Sequence, residues 1–466
     1  MFQVRSLALP APVRWGAMTV LAVGLGSFSA SSSVFGQTQS AQESAQTAPV
    51  TAPPPSTPAP ASATYGPPAP SAVAERVPAG IDPQLARAAD LALERYPSMK
   101  AANALVRATE QDVRAAKWLR APSASVSAAT RGTTLNPQLQ VFQPLWAGGR
   151  IGASIDRAEA VRSASQAEVG VTAFDILTRV SRAYYGVVRG IRVGAILDQS
   201  LAEHQRLVES MERRVEQEVS PRSDLDLARS RAAQVRQELS LVTAQRYAAL
   251  QQLRELVGDP NYEVDPLPEY NKAVHHPASE GLVDAALTCD PSIRRLQAET
   301  QVADADRKLA RAAIFPQVGV QYTHDRFQGS GLGIAVQANT NGGLSPVAAA
   351  NAAAARTNAA RFRVTVAERE TREAVVLDIV ENTAAAAQVE SSRDAAASSS
   401  NVTDSFMRQF ITGRRTWLDV MNAVRESNAA RIALANAELS AMSSSARLLI
   451  RSCQWQANEI RADTAR

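Results

Sequence analysis

Cysteine, aromatic residues and catalytic motifs are scarce in this sequence. Only Cys289 and Cys453 occur, and aromatic residues make up 5% of the 466 positions. CxxC, HExxH, GxSxG, GxGxxG and P-loop patterns are absent, which removes the usual short signatures of zinc sites, hydrolases and nucleotide-binding proteins. The only histidine cluster, His275-His276 beside Pro277, is interpreted as an exposed loop pair and not as a metal site. We therefore predict no catalytic residue, cofactor or metal, and an enzyme is the least expected class.

Neither a large charge excess nor a long hydrophobic run is present. The 49 Lys and Arg residues against 45 Asp and Glu residues give a net charge of +4. Removing residues 1–36, with Arg5 and Arg14, would lower it to +2, so no nucleic-acid partner is indicated. After residue 36 no apolar run reaches the length of about 18 residues that a transmembrane helix needs. If the chain enters a membrane, we expect it to do so as a β-barrel.

The first 80 residues predict an export signal and a leader. Residues 1–36 combine two arginines with a short apolar run over 17–28, which is typical of a secretory signal peptide. No cysteine follows the cleavage region, so a lipid anchor is not expected. Residues 37–80 are mostly Gln, Ser, Thr, Ala and Pro. Because they cannot bury enough apolar surface to fold, we predict a disordered leader.

The rest of the chain is one unit repeated twice. Corresponding landmarks lie 194 residues apart: Pro97 and Pro291, Pro122 and Pro316, Gly148-Gly149 and Gly342-Gly343. This offset divides the chain into a first repeat (81–257), a segment between the repeats (258–281), a second repeat (282–453) and a C-terminal tail (454–466). We call the segment 258–281 the equatorial connection.

Each repeat predicts the same order of elements. A helix (98–119, 292–314) ends before a proline. Two alternating strands follow (123–129 with 138–145, and 317–323 with 332–338). After the diglycine come a long helix and a returning helix (151–218 with 223–257, and 345–411 with 416–450). At 1.5 Å per residue the long helices would span roughly 100 Å, too long for a globular domain, and antiparallel coiled-coil packing is the expected arrangement.

Strand number determines how such a chain could enter a membrane. Four short strands cannot close a barrel alone, and an open sheet edge is not tolerated in lipid. Three chains would supply twelve strands. The sequence thus favours an α+β membrane protein, a trimeric 12-stranded β-barrel continued by an α-helical barrel. The strand pattern alone also allows a soluble hairpin packed on helices.

Three features resemble one known family. They are the corner QPLWAGGR (143–150), the internal repeat, and the segment FITGRRTWLDVMNAVRESNAARIALANAELS (410–440). Together they resemble the TolC family of outer-membrane efflux and secretion channels, over about residues 82–453. The resemblance implies a homotrimer in the outer membrane of a Gram-negative bacterium, with a large periplasmic part. It also implies a passive channel without cofactor, serving a tripartite efflux or type I secretion system. Its partners would be a periplasmic adaptor and an inner-membrane transporter.

The resemblance also assigns a gate. Asp419 matches the periplasmic constriction, where threefold symmetry would bring three carboxylates together. The family often has a second acid three residues later, but here that position is Asn422. The alternative for Asp419 is stabilisation of the helix N-terminus.

The family closes the tunnel with a polar latch between its two hairpins. Arg415 matches the basic member, Ser223 and Asp224 match its partners, and Phe410 replaces the usual tyrosine. The alternatives are an N-cap role for Ser223 and a solvated tip charge for Arg415. The tips themselves resemble the parts that meet the adaptor, and their residues are Val219, Ser220, Pro221, Thr412, Gly413 and Arg414.

The corner and the cysteines complete the expectations. Pro144 is expected to end strand pairing, Trp146 to lie near the membrane interface, and the diglycines to bend strand into helix. Cys289 should open the ascending helix of the second repeat. Cys453 follows a return helix that rises about 50 Å from the tip. Both would then lie at the equator, by which we mean mid-height of the molecule near the equatorial connection. They could form a disulfide there or remain two free thiols.

Two other classes stay open. A trimeric coiled-coil adhesin or fibre would explain the export signal and the long helices, but not the two matched strand pairs. A periplasmic helical adaptor without channel activity would explain the hairpins. The sequence does not name the cargo, since drugs, metals and polypeptides all use this architecture.

Overall fold

The computed structural model describes residues 77–131, 134–325, 329–338 and 342–455, without the side chains of 129–135. The predicted signal peptide and residues 37–76 of the predicted leader lie outside the described residues, as does the tail after 455. Residues 77–80, assigned to the leader, belong to the fold, because Val77 packs on the main core and Gly80 is buried.

Both repeats contain the predicted succession of helix, two strands, long helix and returning helix. The elements of the first repeat are α1 (Pro83–Arg95), α2 (Pro97–Trp118), β1 (Ser123–Arg131), β2 (Thr134–Trp146), α3 (Arg150–Glu216) and α4 (Arg222–Val257). After the short helix α5 (Lys272–His275), the second repeat comprises α6 (Leu282–Cys289), α7 (Pro291–Ala312), β3 (Gln317–Asp325), β4 (Gly329–Gln337), α8 (Ser345–Ile411) and α9 (Trp417–Arg451). Helices α1 and α6, which the sequence analysis did not predict, extend each repeat at its N-terminal end.

An aspartate and a proline start corresponding helices in both repeats. Asp82 accepts hydrogen bonds from the N–H groups of Gln84 and Leu85 at the start of α1. Asp290 does the same for Ser292 and Ile293 at the start of α7. In each case the next residue is proline, whose missing N–H costs nothing in the first turn of a helix.

The four strands form one antiparallel sheet in the order β1-β2-β3-β4. Val318, Val320 and Tyr322 lie opposite Val336, Ile334 and Leu332, so the apolar residues of β3 and β4 share one face. Residues of β1 and β2 complete this face: Val126, Leu139 and Val141. The other face carries mostly small or uncharged polar residues: Ser123, Ser125, Ser127, Gln138, Gln140, Gln317, Gln321, Thr323, Gly331, Gly333 and Gln337. Phe142 and Asp325 lie on the same face.

The apolar face of the sheet is open in the single chain. The exposed fractions are 77% for Val126, 76% for Leu332 and 78% for Ile334. These are among the most exposed large apolar side chains of the described residues. Leu332 and Ile334 are neighbours on β4, and Val126 lies on β1 at the other edge of the same face. A sheet face with apolar side chains exposed at both edges calls for an apolar environment.

Strand β2 continues past the proline that was expected to end it. Pro144 lies opposite Gly319 and Trp146 opposite Val318, with the register shift of a β-bulge between Pro144 and Trp146. The predicted end of pairing at Pro144 is therefore wrong. A bulge leaves an extra residue unpaired and bends the strand, which accommodates proline inside β2.

Each pair of strands is followed by a helical hairpin. Helices α3 and α4 pack along each other, as do α8 and α9, and α3 also packs on α9. The largest core joins α1, α3, α4 and the end of α9, and its fully buried side chains include Leu85, Tyr184, Leu253 and Met442.

No helix of the described residues combines the length and apolar character needed to cross a membrane.

The equatorial connection folds around a buried histidine. His275 is 8% exposed; its ring stacks on Tyr270 at 5.8 Å, and its Nδ1 lies 3.1 Å from the N–H of Asn271. The expectation of an exposed pair is therefore wrong for His275, while His276 is exposed and meets Asn382 Oδ1 at 2.8 Å. Burial lowers the pKa of His275, so its ring is neutral at neutral pH.

Cys289 and Cys453 are joined in a disulfide with a Cα–Cα distance of 6.3 Å. Cys289 is the last residue of α6 and does not open the ascending helix, which begins at Pro291. Cys453 follows α9 by two residues, so the bond ties the start of α7 to the end of α9.

Candidate functional site

The tips of the two hairpins hold most of the residues predicted to form a gate. The first tip turns between α3 and α4, and its backbone N–H groups of Val219 and Ser220 donate to the carbonyl of Arg214. The second tip turns between α8 and α9, with Gly413 at a φ of 74°. Val219 is 60% exposed and Ser220 is half-buried. The other predicted tip residues are exposed: Pro221, Thr412, Gly413 and Arg414.

Asp419 is fixed by a capping box at the start of α9. The hydroxyl of Thr416 donates to Asp419 Oδ2 at 2.8 Å, and the N–H of Thr416 approaches the same oxygen at 3.3 Å. In return, the N–H of Asp419 donates to Thr416 Oγ1 at 3.3 Å. These hydrogen bonds, with a smaller contribution from Arg415, hold the pKa of Asp419 below its ordinary value. The carboxylate is therefore negative throughout the neutral range.

The helix-stabilising role of Asp419 is thus present, and it leaves the side chain accessible. The carboxylate group is 39% exposed. Asn422, one turn further along α9, is exposed as well. Both can face an axis if several chains assemble around one, so the gate assignment stays a prediction.

Arg415 makes its recorded contacts within its own hairpin. Its guanidinium lies 4.2 Å from the ring centroid of Phe406, 3.2 Å from Gln409 Oε1 and 4.0 Å from Asp419 Oδ2. Within the described part of a single chain, none of its contacts reaches Ser223 or Asp224. The predicted latch would have to form between neighbouring chains.

Ser223 does not cap a helix. Helix α4 begins at Arg222, and its N-cap position is occupied by Pro221, which offers no side-chain hydrogen bond. Ser223 is exposed and Asp224 is half-exposed in the first turn. The alternative of ordinary N-capping is therefore wrong for Ser223.

The contact that joins the two tips in one chain was not predicted. The guanidinium of Arg214, on α3, lies 4.7 Å from the ring centroid of Phe410, on α8. Its Nε also donates to the hydroxyl of Ser220 at 3.2 Å. Phe410 in turn packs against Trp417 at a centroid distance of 5.4 Å. One arginine thus holds its own tip and the other hairpin together.

Beneath this contact lies an apolar cluster that we call the tip core. It joins α3, α4 and α9, and its buried members are Leu207, Met211, Leu225, Ala228, Trp417, Val420, Met421 and Val424. Trp417 is 5% exposed and Met211 is fully buried. Apolar packing, rather than a polar latch, therefore holds the hairpins together at the tips of one chain.

The predicted joints between strand and helix all have left-handed backbone conformations. The φ angles are 58° for Gly148, 83° for Gly149, 87° for Gly342 and 64° for Gly343. A side chain would be strained at any of them. Gly148 is also crowded, since a Cβ there would lie 2.4 Å from Phe315 Cβ, whereas a Cβ on Gly149 would meet nothing within 4 Å.

These two neighbours make a matched test of the first joint. Gly148→Ala should destabilise the protein more than Gly149→Ala. The left-handed backbone costs each variant about 1–2 kcal/mol of stability, but only the alanine at 148 also overlaps Phe315. Thermal unfolding in detergent, followed by circular dichroism, measures the difference. Equal unfolding temperatures for the two variants would contradict the close packing of this corner.

Part of the sequence matches a known protein family. Residues 88–259 match the sequence profile of the outer membrane efflux protein family. Comparison with curated proteins gives no match.

Several solved structures share the architecture. A membrane protein from Pseudomonas aeruginosa superposes with a TM-score of 0.72 at 18% identity, covering 86% of this chain and 99% of that one. The outer membrane protein VceC from Vibrio cholerae gives a TM-score of 0.69 at 18% identity, with coverages of 79% and 96%. The MtrE outer membrane channel of Neisseria gonorrhoeae, in its open state, gives 0.66 at 16% identity, with coverages of 81% and 91%. At these identities the similarity establishes a shared fold over most of both chains.

Proposed function

We propose that this chain is a member of the outer membrane efflux protein family and the outer-membrane channel of a tripartite export system. It conducts molecules passively from an inner-membrane transporter, across the periplasm and the outer membrane. The observation that carries this proposal is the two-faced sheet joined to helices of 67 residues each.

The sheet supports a membrane position. Its apolar face suits lipid, and its face of Ser, Gln, Thr and Gly suits a water-filled lumen. Strands β1 and β4 are the two edges of the four-stranded sheet. Since an unpaired edge is not tolerated in lipid, three copies joined edge to edge would close a barrel of twelve strands.

The hairpins support a periplasmic tunnel. A straight helix of 67 residues is about 100 Å long, and two hairpins per chain would give three copies a wall of twelve helices. The tips would then form the entrance, where Asp419 and Asn422 line the constriction and the exposed turn residues meet a periplasmic adaptor. The cargo and the choice between efflux and type I secretion depend on the transporter.

Three measurements test the channel. Membrane fractionation should place the full-length protein in the outer membrane, gel electrophoresis should show a trimer that resists SDS, and planar bilayers should show discrete conductance steps. A protein that forms fibres, or remains periplasmic without conductance, would instead support the adhesin or the adaptor.

The predicted polar latch has a test of its own. Arg415→Ser combined with Asp224→Ala should raise the bilayer conductance, because the double change removes both partners of any pair formed between neighbouring chains. Arg414→Ser combined with Asp226→Ala is the matched control, which removes the same charges from exposed positions one and two residues away. Unchanged conductance in the first pair would remove the latch assignment.

A further inference from the structure

A cavity of about 300 Å³ lies between α3 and α9, well away from the tips. We call it the arginine groove, because Arg182, Arg189 and Arg447 contribute to its lining together with Tyr185, Asn436 and Leu439. No acidic residue belongs to this lining. A pocket of this size accommodates a small organic molecule.

One of the three arginines is neutralised within the protein. Arg447 pairs with Asp378 at 3.1 Å and with Glu381 at 2.6 Å. Its charge is therefore already balanced by two carboxylates from α8. It shapes the groove without leaving a free positive charge there.

The other two arginines are not balanced in this way. Arg189 donates to Asn436 Oδ1 at 3.0 Å and to Gln245 Oε1 at 3.4 Å, and both acceptors are uncharged amides. Arg182 is exposed, and no carboxylate within salt-bridge distance is recorded for it among the described residues. These two hydrogen bonds to side-chain amides hold the Arg189 guanidinium in place, while its positive charge remains available to a ligand. A guanidinium oriented in this way binds carboxylate, sulfonate or phosphate oxygens through paired N–H donors.

The floor of the groove touches the main core, since Tyr185 and Leu439 belong to both, but Arg182 and Arg189 project from the opposite side of α3. Val180, Tyr184 and Val187 face that core, which also contains Tyr262 of the equatorial connection. With 3.6 residues per turn, Arg182 and Arg189 fall on the opposite side of the helix. In the proposed closed tube of three chains, we take this opposite side of α3 to face the interior. This step rests on the proposed trimeric channel.

We propose that the arginine groove binds the anionic group of small organic molecules, such as carboxylates and sulfonates, on their way through the tunnel. Three copies would place three such grooves around the axis at one height. Tyr185 and Leu439 are 7% and 5% exposed, so they form only the apolar floor beside the charge, and an organic anion can rest its apolar part against it. The channel would then hold organic anions briefly, near the middle of its length.

Ligand-observed fluorine NMR tests this binding on the purified full-length protein in detergent. The probe is 4-(trifluoromethyl)benzoate, whose resonance broadens when it binds. Changing Arg182 and Arg189 together to glutamine should weaken binding roughly tenfold, since two charge-assisted contacts are lost. Changing both to lysine should weaken it less than glutamine does, because the charges remain although the paired N–H donors are lost. Arg206→Gln is the control, as it removes one exposed charge from the same helix outside the groove.

The outcomes separate this inference from the proposed function. Undiminished binding in the double glutamine variant, or equal loss in Arg206→Gln, overturns the groove. Planar bilayer conductance is recorded on the same preparations. If the unaltered protein conducts but does not bind the probe, the groove is wrong and the channel stands. If it binds the probe at these arginines but never conducts, the site stands and the channel function is wrong.

Discussion

Replacing Ile334 by arginine should prevent the chain from accumulating as a folded trimer in the outer membrane. Ile334 is 78% exposed on the apolar sheet face, in the edge strand β4. An arginine facing the middle of a bilayer costs about 2–4 kcal/mol per chain, and a trimer carries that cost three times. Heat-modifiable trimer in the outer-membrane fraction is the quantity to measure, and we expect it to fall at least tenfold.

The neighbouring residue is the matched control. Gly333 lies on the opposite, mostly polar face across from Gln321, and a Cβ built there meets nothing within 4 Å. Gly333→Arg therefore adds the same side chain one position away, where we place the water-filled lumen, and should leave trimer yield nearly unchanged. Equal loss in both variants would contradict the assignment of the two faces.

Replacing Trp417 by alanine should open the tunnel entrance. The indole is 5% exposed within the tip core, where it packs against Phe410, so its removal costs about 3–5 kcal/mol of packing in each chain. The contacts that hold the two hairpins together at the tip would then be insufficient to keep them in register. We expect a severalfold larger bilayer conductance and increased sensitivity of cells to large antibiotics.

Leu418→Ala is the control for this change, because Leu418 is adjacent on α9 and 54% exposed. It should leave conductance unaltered. A Trp417→Ala protein that is folded and trimeric but conducts like the unaltered protein would show that the tip core does not hold the entrance closed. The far-ultraviolet circular dichroism spectrum establishes whether the variant is folded.

The long helices and the strands could be predicted because their signals are local and repeated. Helix α8 has the predicted bounds, 345–411, because a diglycine precedes it and a glycine tip follows it. Helix α1 was missed although Asp82-Pro83 is the same start signal as Asp290-Pro291. It has 13 residues and lies next to a segment rich in proline and alanine. Short helices of this kind are stabilised mainly by the core they join, which periodicity does not reveal.

The site was predictable only where one stretch of sequence contains it. Thr416 and Asp419 are three residues apart, and their capping box follows from that spacing. Arg214 and Phe410 belong to different repeats, and nothing local in either segment indicates that they meet. The same holds for the arginine groove, whose walls come from α3 and α9. Contacts between distant segments depend on how the hairpins pack, which the sequence pattern leaves undetermined.

The disulfide makes two hairpins of the same design mechanically unequal. Cys289 and Cys453 enclose 164 residues of separation, which include α7, the β3-β4 pair and the whole second hairpin. The sequence contains no other cysteine, so the first hairpin has no such bond. A pull on the second tip is transmitted along α9 to a covalent anchor at its upper end. The same pull on the first tip is opposed by non-covalent contacts alone, such as packing and the Arg192–Glu438 ion pair, so under load we expect the first hairpin to yield first.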